Sequence, residues 1–177
     1  MAITFEQFRD RARQALQADG GNDGREAVRQ ALEELLQNSD FVAANCAPDR
    51  EAGVEEFYRD PETDLRVLLH TYNAGRITPP HNHGSSWAIY GQAVGYTDIT
   101  LWKFTGDETE AGEKTVEPVG KSRLHPPEAG VFHPGELHSI HFTKGGRVVR
   151  VTGTDLKAAG QTSFAVKPGI DVPEASA

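Results

Sequence analysis

The stretch TPPHNHGSSWAIYG, Thr78 to Gly91, sets two histidines one residue apart behind a Pro-Pro pair and ahead of an aromatic run. Within a strand, residues two apart point to the same face, so His81 and His83 can bring two imidazole nitrogens to one point. That geometry suits a metal ion. A lone pair of this kind also arises by chance, but FHPGELHSIH further along offers His133, His138 and His141 at the start of a segment that could lie opposite. His141 stands three residues beyond His138 and has the opposite strand parity, which turns it to the other side. Imidazole suits Fe, Zn, Cu and Ni, and three neutral histidines leave a divalent ion with uncompensated charge and open positions. An anionic ligand can fill both needs.

Arg150 is the second residue with chemistry to offer, because a cation inside the apolar run VVRVT has to be accounted for. Burying an unpaired guanidinium costs several kcal/mol, so it requires a carboxylate. Glu128 or Asp98 could serve structurally; otherwise the partner is the carboxylate, phosphate or enolate of a bound molecule, which arginine grips at two points. Trp87 reads as a pocket wall or core residue, Tyr72 and Tyr90 as polar lining, and His70 and His125 as ordinary polar or half-buried histidines. Cys46, the only cysteine, excludes an intrachain disulfide and a thiolate zinc site, and reads as a small buried hydrophobe.

Elements that could position these residues are legible on either side. Residues 1–40 read as two short helices. Thr4 stands three residues before Gln7 in a capping-box spacing with Ile3 and Phe8 at the staple positions, and Phe5, Phe8, Ala12 and Leu16 recur at helical spacing. After the break ADGGNDG, Asp23 is the expected cap of a second helix whose buried stripe is Val28, Ala31, Leu32, Leu35 and Leu36. From residue 55 to 155 short runs rich in Val, Ile, Thr, Tyr, Phe and Trp alternate with Gly, Pro, Asn and Asp: LRVLLHTYN, SWAIYGQAV, DITLWKF, GVFHPG, HSIHFT and RVVRVTGT. This spacing describes a mainly β sandwich or barrel with antiparallel sheets, and the lack of strand-helix-strand alternation argues against an α/β organisation. The segment 157–177, with Pro168 and Pro173, reads as an extended surface tail whose last residues are loose.

At 177 residues the chain fits one domain, 1–177, and its net charge of -8 argues against nucleic acid or an anionic membrane as a partner. Neither a spanning apolar run nor a secretion-signal pattern is present, so a cytoplasmic protein is expected, as a monomer or homodimer.

Taken together, Gly75, His81, Asn82, His83 and Gly95 resemble the first sequence motif of the cupin superfamily, and HPGELH resembles the second. The resemblance covers roughly residues 55–155. It implies a double-stranded β-helix, or jelly-roll, barrel behind two N-terminal helices, with His138 as third metal ligand and His133 as the alternative. Most cupins carry a glutamate four or five residues after the second histidine; those slots hold Trp87 and Ala88 here. A three-histidine site without glutamate is similar to the cysteine dioxygenase-like branch, as are FYRDP, PPHNHG followed by Trp87, and VTGTDL. Relatives there anchor a substrate carboxylate with an upstream arginine, which makes Arg59 a second candidate, with a surface salt bridge as its alternative. In thiol dioxygenases the strand after the third ligand carries Ser, His and Tyr at alternate positions; this chain has Val148, Arg150 and Thr152. The resemblance therefore implies a mononuclear non-haem Fe(II) dioxygenase using O2 on a small anionic substrate, but with weak or no activity on thiols. The alternatives are a non-redox lyase, isomerase or hydrolase using Zn, Ni or Mn, and a small-molecule-binding protein without turnover.

Overall fold

A capping box opens the first helix, α1 (Phe5–Ala18): the Thr4 hydroxyl accepts from the Gln7 N–H at 3.2 Å, and Gln7 Oε1 accepts from the Thr4 N–H at 2.9 Å. Ile3 and Phe8, the expected staple, are both buried. In this computed structural model, which describes residues 2–170, the second helix α2 spans Asn22–Leu36. Its cap differs from the expectation. Asp23 lies inside the first turn, and it is the Asp19 carboxylate that accepts from the backbone N–H groups of Gly21, Asp23 and Gly24 at 2.7, 3.1 and 3.2 Å. The two helices meet so closely that a Cβ on Gly24 would stand 1.7 Å from the Asp19 carbonyl oxygen, which brings Asp19 over the start of α2. A third helix, α3 (Ser39–Asn45), capped by the Asn38 side chain, carries the helical region past the expected limit at residue 40. Cys46 follows it and is buried, its thiol pushed up to about 11 chiefly by burial, which agrees with a hydrophobic role.

The strands are β1 (Gly53–Arg59), β2 (Arg66–Thr71), β3 (Arg76–Ile77), β4 (His81–Asn82), β5 (Ala88–Val94), β6 (Thr97–Glu108), β7 (Lys114–Leu124), β8 (Ala129–Phe132), β9 (Leu137–Phe142), β10 (Arg147–Thr152), β11 (Thr162–Ser163) and β12 (Ala165–Val166). One sheet has the order β1-β2-β10-β5-β8; the other runs β11-β4-β9-β6-β7-β12, with β3 also paired to β9. The pairs are antiparallel except β12 with β7. Two sheets built from strands that alternate between them make the jelly-roll barrel, and the class is mainly β, as expected. β7 gave no signal in the sequence because only Thr115 and Val116 of its residues are buried.

Side-chain parity in the first sheet separates the two cores. Val67, Leu69, Ile89, Val149 and Val151 face the helices and pack with Phe8, Val28, Leu32 and Leu35. Ala88, Tyr90 and Val148 face the barrel interior with Tyr72, Ile99, Phe132, Ile140 and Phe142. Covering both faces is why these strands read as nearly continuous apolar runs. Gly91 sits where the helices come closest: a Cβ there would lie 2.6 Å from Leu36 Cδ1 and 2.8 Å from Leu32 Cδ2.

The C-terminal segment is more than a surface tail. β11 pairs with β4, placing Ser163 opposite His81, and β12 pairs with β7. Phe164 and Val166 pack on Trp102, Val116 and Leu137. A two-residue strand such as β4 leaves backbone groups to satisfy on both sides, and this segment supplies one side. The expected looseness of the end concerns residues 171–177, outside the described residues.

Candidate metal centre

His81 on β4 and His138 on β9 are direct cross-strand neighbours. His83 lies just beyond the end of β4, so it joins them through a turn rather than through strand alternation: Asn82 Oδ1 accepts from the Gly84 N–H at 3.1 Å, and Gly84 takes a φ of 61°. Such an Asx turn swings the chain while keeping His83 beside His81. The three rings stand 4.5 to 5.3 Å apart centre to centre, and one nitrogen from each lies within 4.8 Å of the others. Phe132 stacks on His138 at 3.8 Å and holds its ring plane. Among the described residues the cluster contains no carboxylate.

The hydrogen bonds of the rings fit a ligand set. The Nδ1 of His81 faces the Pro79 carbonyl at 2.9 Å and that of His138 faces the Glu136 carbonyl at 3.3 Å. A neutral imidazole donating Nδ1–H to a carbonyl presents a bare Nε2, the arrangement that orients ligating histidines. Nε2 of His138 and Nδ1 of His83 are buried without a hydrogen-bond partner among the described residues. Each such orphan costs about 1–3 kcal/mol unless something engages it. Burial, and secondarily the His81 imidazole and Arg150, pushes His83 down to about 3; burial with the other two imidazoles pushes His138 down to about 2. Burial likewise lowers His81. All three are therefore neutral at pH 7, the state in which histidine binds a cation. The residues fit a divalent metal.

Beside the histidines is a cavity of about 490 Å³ whose wall includes His70, Tyr72, His81, Tyr90, Arg150 and Thr152. Arg150 opposes Leu68 of β2 and Tyr90 of β5, and its guanidinium lies 5.9 Å from the Tyr90 ring centre. Neither structural partner foreseen for it is available. Asp98 holds Arg123 at 2.6 and 2.9 Å, and Glu128 accepts from the His125 backbone N–H at 2.7 Å. Among the described residues no carboxylate pairs with Arg150, and its Nε is buried without a partner. The carboxylates on the wall, Glu56 and Asp155, are taken up by Arg66.

Trp87 and Arg59 each take the second of the two readings given them. Trp87 belongs to the core beneath the helices and does not line the cavity, because it precedes Ala88 and shares the parity of Ile89 rather than Tyr90. Arg59 ends the edge strand β1, where its side chain is 57% exposed and its Nε meets Asp64 at 2.6 Å, the surface salt bridge named as its alternative. His133 stays outside the cluster with its Nδ1 3.4 Å from Arg25, and His141 faces an outer groove with Asp98 and Ser139, as its parity requires. Tyr72 and Tyr90 line the cavity as read from the sequence, which did not reveal that His70 joins them there, bonded to Tyr72 through Nδ1 and Oη at 2.8 Å. The signal for His70 was its spacing of two from Tyr72 along LRVLLHTYN, which places both on the face of Leu68 once that face is known to be interior.

No protein-family model matches the chain, and no curated protein matches it in sequence. Solved structures align with part of it at low identity. They include the DMSP lyase DddQ from Ruegeria pomeroyi (14% identity, TM-score 0.45, covering 63% of this chain and 50% of that one). A double-stranded β-helix protein from Klebsiella pneumoniae matches with 14% identity and a TM-score of 0.45, covering 70% of this chain and 93% of that one. Hydroquinone 1,2-dioxygenase PnpCD, in complex with Cd2+ and 4-hydroxybenzonitrile, matches with 10% identity and a TM-score of 0.46, covering 63% of this chain and 69% of that one. The chain thus spans half the length of the lyase. Among the described residues no helix is long and apolar enough to cross a membrane.

Proposed function

We propose that this chain is a mononuclear metal-dependent enzyme of the cupin type in which His81, His83 and His138 hold one divalent ion and Arg150 receives an anionic substrate. The observation that carries the proposal is the conjunction of three neutral, converging histidines, no carboxylate in their cluster, and an uncommitted arginine on the adjoining wall. The charge that a carboxylate ligand would have supplied is left for the substrate to bring. Fe(II) is the favoured ion, which makes the enzyme a non-haem dioxygenase of the cysteine dioxygenase-like branch that acts on a small anion with O2; the bound iron supplies the redox chemistry. Arg150 orients the anion by its planar donor pair, Tyr90 backs both Arg150 and His83, and the apolar side chains of Leu68 and Phe142 on the wall limit water.

A redox-neutral lyase, isomerase or hydrolase built on Zn, Ni or Mn is the second reading. It is favoured by the residues that β10 turns to the interior, Val148, Arg150 and Thr152, which include no histidine or tyrosine to relay protons. Elemental analysis of protein purified without added metal, followed by oxygen-electrode measurements on the iron-loaded form with a panel of small carboxylates, separates the two. Iron with ligand-dependent oxygen uptake supports the dioxygenase; turnover without oxygen uptake selects the second reading. Protein that takes up no metal would remove both.

A further inference from the structure

Two groups on the cavity wall are left over by this assignment. His70 and Tyr72 are 5% and 8% exposed, and Phe142 stacks on both, 6.4 Å from the imidazole and 4.2 Å from the phenol ring. Clamped in this way, the pair is held in one orientation. The bond between Nδ1 and Oη leaves Nε2 of His70 as the imidazole's other polar atom, and it is buried without a partner among the described residues. His70 stands opposite Val148 on β10, two residues before Arg150, so that the imidazole and the guanidinium are presented from adjacent strands on the same interior face. Burial, with the charges of Arg150 and Arg76 added, holds the imidazole neutral.

The bond to Tyr72 contains one hydrogen, and its direction decides what Nε2 can do. If the phenol donates to Nδ1, the ring carries its hydrogen on Nε2 and offers the cavity an N–H donor. In the opposite arrangement a bare lone pair faces a wall bearing Arg150 and Arg76, yet no bond from Arg150 to His70 forms. We propose that Tyr72 donates to His70 Nδ1 and that the resulting Nε2–H is the second donor, beside the Arg150 guanidinium, for the carboxylate of a small organic acid. The proposal rests on the assignment of the cavity as an anion receptor. A planar two-point donor with one neutral N–H on the adjacent strand suits the two oxygens and single charge of a carboxylate, whereas a phosphate would need the exposed Arg76 and Lys157, which also line the cavity, to leave solvent and join Arg150.

The test uses the full chain, free of metal, with 15N-labelled histidine and arginine. Long-range proton–nitrogen spectra should show His70 as the neutral Nε2–H form, and Tyr72→Phe should mix the two tautomers. Sodium acetate should move the His70 Nε2–H and Arg150 Nε–H signals with one common dissociation constant, and inorganic phosphate should bind more weakly. His70→Leu should weaken acetate binding roughly fivefold, the scale of one hydrogen bond, and His70→Gln should restore most of it. An Nδ1–H tautomer in the wild-type protein overturns the proposal, as does acetate that moves Arg150 but not His70, or phosphate that binds more tightly than acetate. If acetate moves neither residue, the anion receptor itself falls and this inference with it. A separate zinc titration followed at His81, His83 and His138 reports on the metal assignment alone.

Discussion

Replacing Arg150 by methionine sets two accounts of this residue against each other, and the structure fixes the sign of each. The unpartnered, buried Nε–H costs about 1–3 kcal/mol, which methionine would recover. The guanidinium lies 5.9 Å from the Tyr90 ring centre, at the outer limit of a cation–π contact, so its loss gives back about 0.5–1 kcal/mol. Methionine keeps most of the apolar stem in contact with its neighbours. The net change is about 0 to 2 kcal/mol in favour of the variant, or a rise in Tm of roughly 0 to 6 °C for a chain of this size. Anion affinity moves the other way: removing one partner of a buried charge pair costs about 2–5 kcal/mol, so binding should weaken by roughly 30-fold or more. Metal content should not change. Thermal scans, elemental analysis and calorimetric titration with acetate and malonate read these three quantities on the same preparation. A Tm that falls by more than about 5 °C with unchanged anion affinity would show a structural ion pair and refute the reasoning.

The remaining expectations are more direct. His81→Ala and His138→Ala should each lose metal at least 100-fold more readily in competition with a chelator, an effect of about 3 kcal/mol; full retention removes the residue from the ligand set. Gly84→Ala places a Cβ 2.0 Å from the Ala159 carbonyl oxygen at a φ of 61°, so it should cost about 2 kcal/mol or more and loosen metal binding as well, both absent if the 156–160 segment can yield. Burial alone would raise the Asp60 carboxyl, but hydrogen bonds from Arg13, the Thr63 N–H and Tyr58 outweigh it and hold the group below the usual carboxylate range. Its contribution to stability is therefore complete above the unfolded value of about 4 and lost as the pH falls below it; Asp60→Asn should flatten the acid limb of Tm measured between about pH 2 and 6. Iron-loaded protein offered cysteine or 3-mercaptopropionate should consume little oxygen, and rapid uptake with stoichiometric sulfinate would contradict the reading of Val148, Arg150 and Thr152.

Local physics made much of this protein legible in one dimension. The capping box at Thr4 and Gln7, the staple of Ile3 with Phe8 and the leucine stripe of α2 depend on residues three to five apart, so the sequence displays them directly. The closely spaced histidines His81 and His83 are likewise a short-range feature. The cap of α2 is not legible in this way, because Asp19 reaches it only when the end of α1 is folded against Gly24, a contact between elements. What tertiary structure alone decided is which face of each strand points inward. Trp87 and Tyr90 differ by three positions on nearly continuous apolar runs, and such a run, covered on both faces, has no alternation to reveal its parity. The pairing of β2 with β10 and of β10 with β5 settled it, sending Trp87 to the helices and turning Arg150, His70 and Tyr72 into one cavity. It also brought His138 opposite His81 across 57 residues of sequence, a distance over which only the register of paired strands carries information.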